Sequence, residues 1–144
     1  MTHTWSGTRG VPISGGMAKF AYSTLLGEIN LYTTKDLTQK SKIVYHRDIL
    51  DRARAVYPFL KFDQDPYIVL DNGRIVWIID AYTTSSMVPY SDYSLLDGSL
   101  INYVRNSVKI VVDSYSGDMT AYAMDVDEPV LRAWMKVFPG LVVP

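Results

Sequence analysis

The sequence PYIVLDNGRIVWIIDAYTTS, residues 66–85, contains two apolar runs joined by a turn at Asn72-Gly73. Asn-Gly most readily adopts the two positive-φ conformations of a type I′ turn, whose twist matches that of the flanking strands. We therefore predict a β-hairpin in which Ile68 lies opposite Trp77. In this register both faces near the turn are apolar, so we expect neighbouring segments to cover the hairpin on both sides.

The composition of the chain is that of a globular segment. Of the 144 residues, 48% are hydrophobic and 20% are charged, unlike the polar composition of disordered chains. The 14 basic and 15 acidic residues give a net charge of −1, so the basic surface of a nucleic-acid-binding protein is missing and we predict no nucleic-acid partner. Cysteine is absent, which excludes disulfides and thiolate ligands. No apolar run approaches the ~18 residues that span a bilayer, so we expect this segment to be soluble.

Helical spacing of apolar residues occurs in three places, and proline and glycine mark the ends of these patterns. Pro58 interrupts the second pattern, while Pro129 lies in a first turn, where proline is tolerated. The predicted helices cover residues 16–26, residues 42 to about 57, and residues 128–138. The remaining segments are predicted to be an extended or irregular opening through Ser14, a short strand at 28–34 and a long ordered loop at 83–97.

A second hairpin is predicted over residues 107–125, where apolar and polar residues alternate on both sides of Ser116-Gly117. Two hairpins that pair with each other form one antiparallel sheet. The predicted fold class is therefore α+β, with an antiparallel sheet of at least four strands built from the two hairpins and with two or three packed helices. We expect residues 1–144 to form a single domain.

Several unusual strings in the chain resemble successive blocks of a known family. They are GVPIS at 10–14, IVYHRDILDRARAVYPFL at 43–60, DNGRIVWIIDAYTTS at 71–85, INYVRNSVKIVVDSYSGDMTAY at 101–122 and EPVLRAWMKVFPGL at 128–141. The chain is similar here to an uncharacterised family of large bacterial membrane proteins, which have several predicted transmembrane helices followed by a long region outside the cytoplasmic membrane. The resemblance implies that this chain is a fragment of that extracytoplasmic region, with the remainder of a membrane-embedded parent chain as its partner. It carries over no catalytic residue and no ligand.

The best candidates for ligand binding are tyrosines followed by an arginine and an asparagine. Aromatic faces, hydroxyls and a guanidinium suit an envelope polymer or a peptide ligand. With 11 tyrosines in the chain, the alternative is that these rings complete a small core and keep their hydroxyls in water. The candidate residues are Tyr82, Tyr90, Tyr93, Tyr103, Arg105 and Asn106.

Asp80 and Asp113 each follow an apolar run on a predicted strand, where burial would raise the pKa of a carboxyl group. One interpretation is an acid pair serving a cell-envelope hydrolase; the other is two structural aspartates that accept hydrogen bonds from loop amides. The cluster Asp63, Asp65 and Asp71 matches no calcium-loop spacing and is explained by turns. We therefore predict no metal and no cofactor, and expect a non-enzymatic ligand-binding or assembly module.

Overall fold

The computed structural model describes residues 10–144. The chain divides into two compact units, Met1–Arg47 and Asp48–Pro144, and the single-domain assignment stays a prediction. Residues 1–9 of the predicted extended or irregular opening lie outside the described residues, and its described part contains the two-residue strand β1. The elements in chain order are β1 Val11–Pro12, α1 Gly16–Leu26, α2 Ile29–Thr33, β2 Lys42–Ile43, α3 Ile49–Val56, β3 Lys61–Phe62, β4 Tyr67–Asp71, β5 Arg74–Ser85, β6 Ser94–Leu96, β7 Ser99–Ile101, β8 Tyr103–Asp113, β9 Met119–Ala123, α4 Pro129–Val137 and β10 Val142–Val143.

In the first unit, helix α1 has the predicted bounds and ends at Gly27, which takes the left-handed conformation with φ of 70°. The predicted strand at 28–34 is wrong, because this segment forms helix α2 with a Thr34 N–H to Asn30 O bond of 2.9 Å. The predicted start of the second helix at residue 42 is also wrong. Strand β2 pairs there with β1, and α3 begins only after Asp48, whose carboxylate accepts from Leu50 N at 2.8 Å.

The second unit is built on a six-stranded sheet with the order β10-β9-β8-β5-β3, and β4 also pairs with β5. The α+β class is confirmed, and the hairpin β4–β5 has the predicted register, with Ile68 opposite Trp77. Asn72 and Gly73 take φ values of 48° and 79°, as a type I′ turn requires. The pairing is antiparallel except between β9 and β10, which run parallel.

The second predicted hairpin is present as β8–β9, but the predicted loop at 83–97 is too long, because only residues 86–93 and the turn residue Asp97 lie outside strands. Strand β5 continues to Ser85, and β6 and β7 form a small hairpin around Asp97-Gly98. These two residues have φ values of 47° and 72°. Asp-Gly favours the same turn type as Asn-Gly, and this signal explains the additional strands.

Helices α3 and α4 both pack on one face of the sheet. Ala53 of α3 and Leu131 of α4 are fully buried in one core with Ile79 and Ile110. The core ends before the β4–β5 turn, where Ile68, Leu70 and Ile75 are 57%, 72% and 52% exposed. The expectation that the hairpin is covered on both sides is therefore wrong near the turn, because the helices do not extend that far.

A β-bulge interrupts the pairing of β5 with β8. Ala81 lies opposite Val108, but Tyr82 lies opposite Asn106, so Ser107 has no partner on β5. The extra residue shifts the alternation of β8, so that two successive residues, Ser107 and Val108, are both fully buried. As a result the first part of β8 presents its odd-numbered residues to the same face as Thr83.

Candidate functional site

The structure separates the six predicted ligand-binding residues into three places. Tyr103 and Arg105 lie on the helix-covered side of β8, opposite Ser85 and Thr83, whereas Tyr82 and Asn106 pair with each other on the opposite face. Tyr90 and Tyr93 lie between β5 and β6, outside the sheet, with 109% and 58% exposure. No single face brings all six together, and their role in ligand binding stays a prediction.

Tyr103 belongs to a buried polar group that we call the Glu128 cluster, formed by Thr83, Tyr103, Ser107 and Glu128. Glu128 is 2% exposed and accepts from Tyr103 Oη at 2.7 Å and from Thr83 Oγ1 at 3.1 Å. Its carboxylate also caps α4 by accepting from the N–H groups of Val130 and Leu131. The Thr83 and Ser107 hydroxyls are 2.8 Å apart. Each buried hydroxyl and carboxylate oxygen of the cluster thus has a partner, as buried polar groups require.

The pKa values in the Glu128 cluster follow from these contacts. Burial opposes ionisation of Glu128, but the bonds from Tyr103, the two backbone amides and Thr83 outweigh it and hold the pKa of this carboxyl group below its ordinary 4.5. The same hydrogen bond to Glu128, together with burial, raises the pKa of Tyr103 to about 12. At pH 7 the Glu128 carboxylate is therefore ionised and the Tyr103 phenol is neutral. Their hydrogen bond stabilises the fold and does not favour proton transfer between them.

On the opposite face, Lys109 forms an ion pair with Asp80. Asn106 Nδ2 donates to Asp80 Oδ1 at 3.1 Å, and Lys109 Nζ donates to Tyr67 Oη at 3.1 Å. Burial opposes ionisation of Asp80, but its bonds with Lys109 and Asn106 lower the pKa of this carboxyl group below 3.8. Beside it, Tyr82 Oη donates to Asp63 Oδ2 at 3.4 Å. Among the described residues, the Asp80 carboxylate thus accepts from side chains, and not from the loop amides predicted as its structural partners.

Asp113 has the predicted structural role, since its carboxylate accepts from the N–H groups of Tyr115 and Ser116 at 2.9 and 2.7 Å. The amide of Ser116, that of Tyr115 and the nearby Arg74 lower its pKa. Asp113 lies opposite Val76, and Asp80 lies four residues further along β5, which is about 13 Å along a strand. Catalytic carboxylate pairs lie within about 9.5 Å, so this geometry does not favour a paired acid and base.

A shallow cleft of about 410 Å³ is lined by α3, β3 and the β6–β7 turn. Two of its polar side chains are already engaged: Arg54 bonds Asp51 and Gln64 at 2.9 and 3.0 Å. None of the predicted ligand-binding residues lines this cleft. Within residues 10–144 no group of three or more acidic or histidine side chains is arranged to hold a metal ion.

A group of exposed apolar side chains lies at the end of the first hairpin, which we call the hairpin tip and define by Tyr67, Ile68, Leu70 and Ile75. These side chains are between 41% and 72% exposed. Ile68, Leu70 and Ile75 lie on one face and Tyr67 on the other. A group of exposed apolar side chains on one projection is typical of a protein–protein contact.

The sequence predicts the helix start at Glu128 but not the contacts of Glu128 with Thr83 and Tyr103. The string Asp127-Glu128-Pro129 correctly predicts a helix start, because an acidic residue before a first-turn proline is a good cap. Nothing local to Glu128 indicates that Thr83 and Tyr103, 45 and 25 residues away, donate to the same carboxylate. Their convergence depends on the β-bulge in β8.

The fold and these contacts define an α+β segment whose polar groups largely satisfy one another and whose apolar hairpin tip is left exposed. The sequence model of the Uncharacterised protein family (UPF0182) matches residues 1–144, and the chain belongs to this family. No solved structure matches the chain. Across residues 10–144, no helix has the length and apolar character needed to cross a membrane.

Relatives of the chain are much longer than the chain itself. A UPF0182 protein of Methanospirillum hungatei is 43% identical over 143 residues, which cover 97% of this chain and 16% of the relative. Similar proteins of Rhodococcus jostii and Mycobacterium tuberculosis are 42% and 40% identical, and each match again covers 16% of the relative. The chain thus spans about a sixth of the length of the curated relatives it matches.

Proposed function

We propose that this segment is a non-enzymatic assembly module, which docks through the hairpin tip onto the remainder of its own longer chain. The parent in this proposal is a multi-pass membrane protein, with the segment on the extracytoplasmic side. The observation that carries the proposal is the exposure of Ile68, Leu70 and Ile75 at 57%, 72% and 52%. These side chains occupy a regular, well-formed strand pair rather than a frayed end.

The energetic argument starts from the area left exposed at the hairpin tip. Burying a fully exposed leucine or isoleucine side chain contributes about 1.5–3 kcal/mol. Three such side chains, each more than half exposed, therefore represent several kcal/mol of unrealised burial in this segment. A protein contact that buries these three side chains is therefore favourable when a partner surface lies nearby.

The parent chain supplies such a partner. Because the match covers 16% of each relative, about five-sixths of a protein of that length lies outside this segment. A partner tethered in the same polypeptide is present at an effective concentration of about millimolar. Contacts with the remainder of the chain therefore form more readily than contacts with a free protein.

A hydrolase and a binder of envelope polymers or peptides are the competing functions. The hydrolase requires acidic residues that act together, whereas Asp80 and Asp113 are separately engaged by Lys109 and by backbone amides. The ligand-binding function requires aromatic residues on one patch, whereas Tyr82 and Tyr103 lie on opposite faces of the sheet. Neither arrangement supports these alternatives as well as the hairpin tip supports assembly.

The test uses the full-length parent protein in its native membrane. A photoreactive amino acid, p-benzoylphenylalanine, replaces Leu70 in one variant and Asp92, an exposed loop residue of the same unit, in the control. After irradiation, proteolysis and mass spectrometry identify the linked peptides. We expect cross-links from position 70 to peptides outside this segment, and few from position 92. Equal yields at the two positions would refute docking through the hairpin tip.

A further inference from the structure

We infer that the outer edge of β4 receives an extended strand from the remainder of the parent chain, which adds a further strand to the six-stranded sheet. This inference rests on the proposed assembly function and specifies how the hairpin tip makes its contact. The occupant is an apolar, strand-forming segment held by main-chain hydrogen bonds, a recognition mode known as β-augmentation.

The backbone hydrogen bonds of β5 show which groups of β4 point outward. Asp80 O accepts from Asp63 N on the β3 side, whereas Ile75 O accepts from Ser114 N on the β8 side. Even-numbered residues of β5 therefore bond toward β3 and β4, because successive residues of a strand point their N–H and C=O groups to opposite edges.

The register then assigns the groups of β4. Tyr67, Val69 and Asp71 lie opposite the even-numbered Ile78, Val76 and Arg74, so their main-chain groups bond to β5. Ile68 and Leu70 lie between them, and their N–H and C=O groups point away from the sheet. In the described part of the chain, β4 pairs with β5 alone. The edge thus offers two donors and two acceptors, enough to bond one further strand.

The side chains of this edge leave it open to pairing. Exposed edge strands are usually protected by lysine, by proline or by a bulge. Strand β4 contains no lysine and no proline, its one charged residue is Asp71 beside the turn, and its pairing with β5 runs without a register shift. Ile68 and Leu70 are apolar side chains on one face of β4 and Val69 is apolar on the other, so the incoming strand carries apolar side chains beside them.

The size of the edge favours a tethered strand over a second copy of this chain. Strand β4 has five residues, and two of them supply outward groups, whereas stable associations of separate proteins bury roughly 1,200 Å² or more. A strand within the same polypeptide needs much less intrinsic affinity, since its effective concentration is about millimolar. The parent chain is therefore the occupant.

The test compares the full-length parent with the isolated 144-residue chain by hydrogen–deuterium exchange. We expect the amides of Ile68 and Leu70 to exchange at least about tenfold more slowly in the full-length protein. Leu70→Pro removes the outward N–H, while its matched control Leu70→Ala shortens the side chain and keeps this group. Proline is tolerated at outward positions of edge strands, and an unchanged melting temperature of the isolated L70P chain verifies its fold.

Each outcome decides the inference. Protection of Ile68 that is lost in L70P and kept in L70A supports strand addition. Equal exchange in both proteins, combined with cross-links from position 70, overturns strand addition and leaves the assembly function standing. Equal exchange without such cross-links overturns both. Protection that appears in the isolated chain as its concentration rises identifies a second copy as the occupant and overturns the assignment to the parent chain.

Discussion

Replacing Glu128 with alanine tests whether the buried carboxylate organises the start of α4. The residue is 2% exposed and accepts from Tyr103, Thr83 and two helix amides. We expect Glu128→Ala to lower the free energy of unfolding by about 3 kcal/mol. Loss of a helix cap costs about 1 kcal/mol, and each hydroxyl deprived of its acceptor costs about 1–3 kcal/mol.

For both hydroxyls we expect a cost at the lower end, about 1 kcal/mol each. Thr83 retains the Ser107 hydroxyl at 2.8 Å as a partner, and Tyr103 is only partly buried, so water replaces part of its lost bond. Glu128→Gln is the matched control, because it keeps the size and one carbonyl acceptor. We expect this variant to lose about half as much stability, since the bonds that remain are no longer to a charged acceptor.

Urea unfolding followed by tryptophan fluorescence provides the assay, since Trp134 lies in α4. A double-mutant cycle with Tyr103→Phe isolates the bond between the two side chains, and we expect a coupling energy of about 1 kcal/mol. A loss below about 0.5 kcal/mol for Glu128→Ala, at an unchanged dependence on urea, would show that the cluster contributes little and that the reasoning from its hydrogen bonds is wrong.

Four further predictions concern two titrating groups, the first turn and the core. The pKa of Glu128 lies below its ordinary 4.5 in the folded chain. Its contribution to the free energy of unfolding is therefore present above pH 4.5 and is lost as the pH falls through the folded pKa, so the free energy of unfolding decreases less steeply with acid in Glu128→Gln. The pKa of Tyr103 is raised from 10.0 to about 12, so its contribution to the free energy of unfolding is complete below pH 10 and is lost toward pH 12. Ultraviolet titration, compared with Tyr103→Phe, measures this pKa. Gly73→Ala, at φ of 79° with open space around the new Cβ, costs about 1 kcal/mol of backbone strain in a urea melt; no change would argue against the type I′ turn. Trp77→Ala costs about 3 kcal/mol, because the indole packs against the core, whereas Leu70→Ala costs under about 0.5 kcal/mol in the isolated chain; equal losses would contradict the assigned burial.

The predictable part of the fold is the part that local chemistry determines. Asn72-Gly73 specifies its own turn, and that turn sets the register of β4 and β5. Gly27 and Pro129 likewise mark a helix end and a helix start through their own backbone preferences. By contrast, β1 and β2 have two residues each, and a strand of that length forms only because its partner is present.

The candidate site was less predictable because it depends on which face each side chain occupies. Asn106 and Arg105 are neighbours in sequence, yet one bonds Asp80 and the other bonds Asp125 at 3.1 Å on the opposite face. Period-two alternation predicts this separation once the strand is known. The position of the bulge, however, is set by pairing between distant segments, and no residue type in β8 predicts it.

Ser107 is the residue that the bulge inserts, so β8 is one residue longer than its pairing with β5 requires. Deleting this residue would restore strict alternation and leave Tyr103 and Arg105 opposite Ser85 and Thr83, on the helix-covered side of the sheet. Thr83 would lose the Ser107 hydroxyl at 2.8 Å, while Glu128 would keep its phenol donor. In a longer relative of this chain, a one-residue gap at this point would therefore preserve the cap of α4 and remove one hydroxyl from beneath it.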